Sequence, residues 1–390
     1  MQKTIISFIC AAGLSVPACA QGFTYGARNT DFPPAFPEQF RAPLIDSDVE
    51  LRTEVLADGL VNPWGIATLP EGGGWLVTER AGRLRHLAAD GTLHGAIEGV
   101  PEVLAERQGG MLDVVLAPDF AESRVIYLTY AKPLSDGSAT AAARMTLSDD
   151  MARVEGVEDI FVQSPPSQTA AHYGSRILPL PDGTLAITAG EHFTEDQRQY
   201  AQDLDKTYGK VLRVNPDGSV PAGNPFDGSP VWSLGHRNPQ GAAIDAAGDL
   251  WTIEHGPQGG DELNRPEAGK NYGWPVISYG QNYNGSPIGP AAAAEGFEQP
   301  VYFWDPVIAP GGMAFHDGEM FADWNGDLLI GSLNPGGVVR LRLEDGMVVE
   351  EERLLMDLGR VRDVEILADG SFLVLTDYPD GEVVRVTPEG

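Results

Sequence analysis

Cysteine is almost missing: the 390 residues contain two, Cys10 and Cys19, both within the first twenty positions. Beyond them the chain can form no disulfide, no thiolate zinc site and no cysteine nucleophile. Basic residues are also scarce. Lys and Arg total 26 against 56 Asp and Glu, a formal net charge of -30. Such a surface repels phosphate backbones and anionic lipid, so neither nucleic acid nor a membrane surface is an expected partner. No later stretch holds eighteen consecutive apolar residues, so membrane insertion is not expected. Long helical patterns are lacking too, the best candidate being residues 195–207.

Turn formers are plentiful, with Gly 47 and Pro 30. That composition suits many short strands joined by turns. At the N-terminus, Lys3 precedes an apolar run over residues 5–16, too short to span a bilayer. Ala18-Cys19-Ala20 then offers a small-residue cleavage site. We read residues 1–20 as a signal peptide, which predicts a periplasmic or secreted protein. Pro17 argues against lipidation of Cys19. Residues 21–50 are expected to form an extension closing onto the main body, and residues 51–390 the body itself.

One pattern recurs six times: a short apolar strand, a turn rich in Pro, Asp and Gly, and a second apolar strand. The copies start at Trp64, Met111, Ser175, Gly241, Gly312 and Val361. A third strand follows in several, opening at Gly82, Lys210, Gly337 and Gly381. Three or four antiparallel strands per unit, repeated around a ring, make propeller blades. Hairpins also occur in β-sandwiches, but six similar copies across the chain favour an all-β, six-bladed β-propeller with four-stranded antiparallel blades.

Polar residues gather at or just before the first strand of several copies: Gln108, His172, Arg237 with Asn238, and Arg360 with Arg362. In a propeller these strand starts open on one face, so residues distant in sequence converge on one pocket. Three arginines without an acidic partner in their own segments suggest a polyanionic ligand. His172 is suited to general-base work, because an imidazole titrates near neutrality. Taken singly, each has an ordinary structural explanation, and the shared position in four copies is what selects them. A second constellation runs Glu254-His255-Gly256-Pro257-Gln258-Gly259-Gly260-Asp261-Glu262, with Tyr272 beyond it. A Gly-rich loop ending in paired carboxylates offers the oxygens that calcium prefers. An ordinary polar surface loop explains it equally well.

Several stretches resemble the soluble quinoprotein sugar dehydrogenases, the glucose/sorbosone dehydrogenase-like family that includes aldose sugar dehydrogenases. They are residues 107–120, 172–177, 235–241, 254–264 with 270–275, 308–315 and 360–364, in family order across nearly the whole chain. The resemblance implies pyrroloquinoline quinone, a flat tricarboxylate, as cofactor, together with Ca2+. It implies oxidation of an aldose at the anomeric carbon to a lactone, by hydride transfer to the quinone, with electrons passed to an external acceptor. His172 would be the base, Glu191 its orienting acid, and Arg237 the group that polarises the quinone oxygen. Gln108 and Asn238 would hydrogen-bond cofactor or substrate, and Arg360 and Arg362 would clamp carboxylates. Calcium would bind through the carbonyls of Gly256 and Pro257, and a further ion through Asp261, Glu262 and Tyr272. Two positions depart from the family. Ala171 stands where glucose-specific members carry an acid, which favours a broad aldose range. Asn334 stands where many members place a cofactor-binding Lys, which predicts one weakened contact. A calcium-dependent sugar lactonase is the alternative, although a neutral lactone does not require the arginines. A non-catalytic glycan- or protein-binding propeller is a third. The protein is expected to be a monomer or a dimer.

Overall fold

The computed structural model describes residues 23–389. The leader at residues 1–20, with both cysteines, lies outside the described residues. Six four-stranded antiparallel sheets are arranged as blades. Blade 1 comprises Pro63–Thr68, Trp75–Glu79, Arg83–Leu87 and Leu93–Ala96. Blade 2 comprises Met111–Leu116, Val125–Leu134, Gly137–Leu147 and Val154–Val162. Blade 3 follows with Gly174–Pro179, Leu185–Ala189, Lys210–Val214 and Val231–Leu234. Blade 4 has Pro239–Ile244, Leu250–Glu254, Asp261–Asn264 and Tyr302–Trp304. Blade 5 has Pro310–Phe315, Leu328–Ser332, Val338–Glu344 and Met347–Leu354. Blade 6 takes Val361–Ile366, Phe372–Thr376 and Gly381–Pro388 from the C-terminus, and its outermost strand, Leu51–Leu60, from the other end of the chain. That pairing runs from Leu51 opposite Pro388 to Leu60 opposite Gly381.

Each blade is sandwiched between two others, so its inner strands are apolar on both faces. The second strands of blades 3, 5 and 6 are buried at every residue. Ile66 and Val77 of blade 1 pack with Leu373 and Leu375 of blade 6, which closes the ring. Each fully buried side chain of this kind contributes about 1.5–3 kcal/mol. The recurring Asp of the turns has a local cause. Asp182 accepts from the Thr184 N–H at 3.0 Å and Asp369 from the Ser371 N–H at 2.9 Å, which bends the backbone tightly.

The third residue of the first strand is Gly65, Asp113, Arg176, Gly241, Gly312 and Asp363 in blades 1 to 6. One guanidinium joins the charged side chains among them. Arg176 Nη1 lies 2.9 Å from Asp113 and 3.2 Å from Asp363, its Nε donates to the Gln240 carbonyl at 3.1 Å, and its face covers the Trp64 ring at 4.6 Å. A Cβ on Gly312 would collide with the Asp363 carboxylate, so glycine there is what gives this ion triad room.

Residues 23–50 precede the first blade strand. They lie along the outer edges of blades 4 and 5, where Phe40 stacks on Phe303 at 4.5 Å and the Asn29 and Thr30 N–H groups donate to Asp305. Closure belongs to Leu51–Leu60. The expected helix at residues 195–207 shrinks to Glu195–Arg198 plus a 3-10 turn, Gln199–Gln202. Only Ala201 of this segment is buried, so no apolar stripe anchors a longer helix. Lys210 ends it instead: the ammonium donates to the carbonyls of Tyr200, Ala201 and Tyr208 at 2.9, 2.9 and 2.7 Å. No helix among the described residues is long and apolar enough to cross a membrane.

Candidate active site

At one end of the axis, above the Arg176 triad, a cavity of about 220 Å³ draws its lining from all six blades. Arg80, Arg237, Arg360 and Arg362 line it, and no carboxylate does. In a chain of net charge -30 this is a sharply localised cationic pocket.

His172 precedes the first strand of blade 3 in a left-handed backbone conformation, φ 48°. Arg107, His192, Phe193 and Ala309 share positive φ around the same cavity. Non-glycine residues are held so only where the surroundings over-determine them, commonly at functional sites. The surroundings here are identifiable. The Gln108 side chain accepts the His172 N–H at 2.7 Å, and a Cβ at Gly190 would strike the His172 carbonyl oxygen. His172 Nδ1 lies 2.9 Å from Glu191 Oε1, which leaves Nε2 as the nitrogen available to the cavity. Burial, then the charges of Arg237 and Arg107, hold the imidazole well below its ordinary pKa. Burial pushes the Glu191 carboxyl up to about 7, against the pull of Arg237.

Arg237 is 5% exposed. Its Nη1 donates to the carbonyls of His255 and Gly256 at 2.9 and 2.7 Å, its face lies 5.2 Å from the Trp274 ring, and its buried Nε has no hydrogen-bond partner. Asn238 Oδ1 accepts from the Gly174 N–H at 3.0 Å, so its amide nitrogen is the end left for a ligand. Arg360 and Arg362 are not free of acid. Both pair with Asp377, at 2.7 and 2.8 Å. Asp377 stands just past the second strand of blade 6, across the hairpin, out of reach of a reading confined to each arginine's own segment. Arg362 Nε and Arg80 Nε are likewise buried and without a hydrogen-bond partner.

The structure adds residues that local patterns did not select. Gln240 Oε1 receives Arg362 Nη1 at 2.8 Å and lies 3.1 Å from His255 Nε2, which fixes both. Gln240 and His255 sit inside the quoted segments, whereas Arg80 and Tyr283 lie on a turn and a loop with no periodic signal. Asn334 is a correction. It is exposed and outside the cavity, and its neighbour Leu333 takes the place in the lining.

The acidic segment also differs from a convergent loop. Asp261 and Glu262 open the third strand of blade 4, where successive side chains face opposite ways. Asp261 is consumed by three backbone N–H groups, those of Gly256, Ile308 and Ala309, at 2.7, 2.8 and 2.7 Å. Glu262 turns toward Glu254, its cross-strand partner, and burial and that charge hold it well above the usual carboxylate range. The Tyr272 hydroxyl donates to the Arg265 carbonyl, and its ring stacks on His236 at 4.8 Å. Glu262 and Tyr272 share the lining of one small void with Glu254, Gly256 and Pro257, whereas Asp261 is taken up by the three backbone N–H groups outside it. Among the described residues no three His, Cys, Asp or Glu side chains form a metal cluster. Gly256 borders the cavity, but its carbonyl oxygen is engaged by Arg237, and Pro257 lines a small void beside it.

Comparison with known proteins gives a consistent set of likenesses. Residues 60–385 match the family model described as Glucose / Sorbosone dehydrogenase. The aldose sugar dehydrogenase YliI of Escherichia coli is 44% identical over 349 residues, 87% of this chain and 93% of that protein. The crystal structure of the soluble aldose sugar dehydrogenase from Escherichia coli in the apo-form superposes with a TM-score of 0.84 at 43% identity, covering 87% of this chain and 100% of that one. The PQQ-bound aldose sugar dehydrogenase of Streptomyces coelicolor superposes with a TM-score of 0.72 at 28% identity, covering 87% and 99%.

Proposed function

The chain belongs to the glucose/sorbosone dehydrogenase family, and on that premise we propose that it is a quinoprotein aldose dehydrogenase that oxidises the anomeric carbon of aldoses to lactones. The observation that carries this reading is the cavity itself: four arginines and no carboxylate in its lining, within a strongly acidic protein. The residues fit pyrroloquinoline quinone. Three buried guanidinium nitrogens of the lining arginines, on Arg80, Arg237 and Arg362, lack hydrogen-bond partners, and the Asn238 amide nitrogen is left over, so a flat tricarboxylate finds donors on several sides. When bound, the quinone supplies the two-electron, hydride-accepting centre, which is chemistry no side chain here provides.

The chain's own groups do the rest. His172, neutral because burial and two arginines disfavour its charged form, takes the proton of the anomeric hydroxyl on Nε2. Glu191 holds the Nδ1–H, fixing ring and tautomer, and stabilises the cation that forms. Arg237 places fixed positive charge, already tied down by two carbonyls, where negative charge grows in the transition state. Arg360 and Arg362 grip the ligand's carboxylates, and Asp377 keeps their guanidinium groups apart and oriented when the ligand is away.

Calcium belongs to this proposal only jointly with the cofactor. The Pro257 carbonyl and the second lone pair of the Gly256 carbonyl, whose first accepts from Arg237, would supply two oxygens and the ligand's carboxylates the others. Ala171 is buried behind His172 and offers no charge to a sugar hydroxyl, which supports a broad aldose range. The leader supports a periplasmic site of action, and N-terminal sequencing of the exported protein starting at residue 21 would bear that out. The decisive experiment is reconstitution of purified protein with pyrroloquinoline quinone, with and without calcium, following dye reduction by glucose and other aldoses. Turnover needing both additions supports the proposal, whereas no turnover together with no quinone binding by titration would sink it.

A further inference from the structure

The segment that runs along blades 4 and 5 lies outside residues 60–385, the stretch matching the family model. It nevertheless reaches the loop that presents the Gly256 and Pro257 carbonyls. The link is a buried carboxylate. Asp305, just past the last strand of blade 4, is 2% exposed. Among the described residues its carboxylate takes hydrogen bonds only from Asn29 and Thr30. The Asn29 N–H serves both oxygens at 2.9 Å, and the Asn29 amide Nδ2 donates to Oδ1 at 2.6 Å. The Thr30 N–H and hydroxyl donate to Oδ2 at 2.9 and 3.3 Å. A buried charge needs donors around it, and here this N-terminal strap supplies them all.

Asn29 uses both ends of its amide. Nδ2 is spent on Asp305, while Oδ1 accepts from Gln258 Nε2 at 3.1 Å, 229 positions away in sequence. Gln258 directly follows Pro257, and its backbone is locked to Gln281. Its N–H donates to the Gln281 carbonyl at 3.0 Å, and its carbonyl accepts the Gln281 N–H at 3.1 Å. The Thr30 hydroxyl holds the nearby Tyr279 carbonyl at 2.8 Å. Glycines let these backbones touch. A Cβ on Gly259 would press on the Asp305 carboxylate, and one on Gly280 would collide with the Gly259 carbonyl oxygen. The strap and residues 279–281 thus grip the loop over residues 256–260 from one side. Arg237 and Asp261 hold it at Gly256, through the carbonyl and the N–H, each at 2.7 Å.

Gly256 therefore has fixed partners on both its backbone groups, whereas Pro257 has no N–H to donate. The direction of the Pro257 carbonyl depends on what holds the next residue, Gln258. Groups standing behind metal ligands commonly account for about 10–100-fold of metal affinity. We propose that Asn29 is a positioning residue for the cofactor site: by tying Gln258 to Asp305 it sets the direction of the Pro257 carbonyl, so that a segment outside the matched propeller tunes the calcium requirement of quinone binding. This rests on the dehydrogenase proposal above.

The test titrates cofactor-free protein with pyrroloquinoline quinone at a series of calcium concentrations, in wild type, Asn29→Ala, Gln258→Ala and the double variant. Neither substitution removes the backbone N–H groups of residues 29 and 30 from Asp305, so the strap stays docked. Asn29→Ala is expected to raise the calcium needed for half-maximal quinone binding about tenfold, with excess calcium restoring full binding. The double variant is expected to lose no more than either single one, because the two side chains act through one contact. Additive losses, an unchanged calcium requirement, or a lowered Tm as the only effect would each overturn the proposal. Amide exchange at Gln258 and Gly260 in the cofactor-free protein separates the two proposals. A wild type that binds no quinone sinks the dehydrogenase reading. Faster exchange at these amides in Asn29→Ala would still show that Asn29 positions the loop, and unchanged exchange would overturn that as well.

Discussion

Nδ1 of His172 lies 2.9 Å from one oxygen of Glu191, whose other oxygen is held by the backbone of Phe193. The pair takes up its first proton near pH 7, where burial places the Glu191 carboxyl, and either destination disables the base. On Glu191 the proton weakens the hold on Nδ1–H. On His172 it occupies Nε2. The wild-type kcat/KM should therefore fall as pH drops through about 7. Glu191→Gln removes the acid, and the imidazole left behind is held well below its ordinary pKa, so the acid limb should move well below pH 6.5. The plateau of that variant should drop about 10²–10⁴-fold. A pH–rate series on both proteins checks this, and a limb that stays near 7 in the variant removes Glu191 from the assignment.

Arg237→Ala should lower the rate of the chemical step about 10²–10³-fold, the scale of losing one preorganised donor. Single-turnover reduction of bound cofactor isolates that step. An unchanged rate would leave Arg237 as a prop for the His255 and Gly256 carbonyls and nothing more.

The architecture was legible because it repeats. Six strand-turn-strand copies, with turns drawn from Pro, Asp, Asn and Gly, announce a ring whatever the loops do. The site was legible in part, for the same reason: His172, Arg237, Asn238 and Arg362 all stand just before or at the start of a first strand, in blades 3, 4 and 6, and meet at one cavity. What stayed hidden was what only a turn of the chain brings near. Asp377 reaches Arg362 across a hairpin, and Tyr283 arrives from a loop with no periodicity. Asp261 and Glu262 look paired in sequence and are separated by the two-residue alternation of the strand that carries them.

Asp377 ties acidity to stability. Burial alone would raise its pKa, but the charges and hydrogen bonds of Arg362 and Arg360 outweigh burial and hold it far below the usual carboxylate range. A carboxylate lowered on folding stabilises the protein fully above its unfolded pKa, about 3.9, and loses that contribution as pH falls through the lower folded value. Asp377→Asn should thus cost about 3 kcal/mol at pH 7, with the difference shrinking below about pH 4. Urea melts at several pH values read this directly, and a difference independent of pH would assign the loss to packing.

Lys210→Met should destabilise the protein by about 2–4 kcal/mol, because three carbonyls lose one charged donor at once. The segment just past residue 193 should open first, seen as faster amide exchange around residues 195–208. Uniform exchange across the chain would argue that Lys210 serves the whole fold rather than this turn.

Gly312→Ala tests the axial triad. The added methyl collides with the Asp363 carboxylate and crowds Arg176, so a loss of about 2–4 kcal/mol is expected. Thermal unfolding measures it. A Tm within 1–2 °C of wild type, on the usual scale of ΔΔG against Tm, would mean that the axis is looser than the ion pairs suggest.

The strand at residues 51–60 is made well before residues 381–388, with which it pairs. During synthesis it has no sheet to join, and blades 1 to 5 can assemble in order while it waits. Residues 381–388 then complete two things in one event: the sixth sheet and the contact between blades 6 and 1. A chain cut before residue 381 would thus leave the ring open at the blade whose first strand carries Arg362 into the cavity.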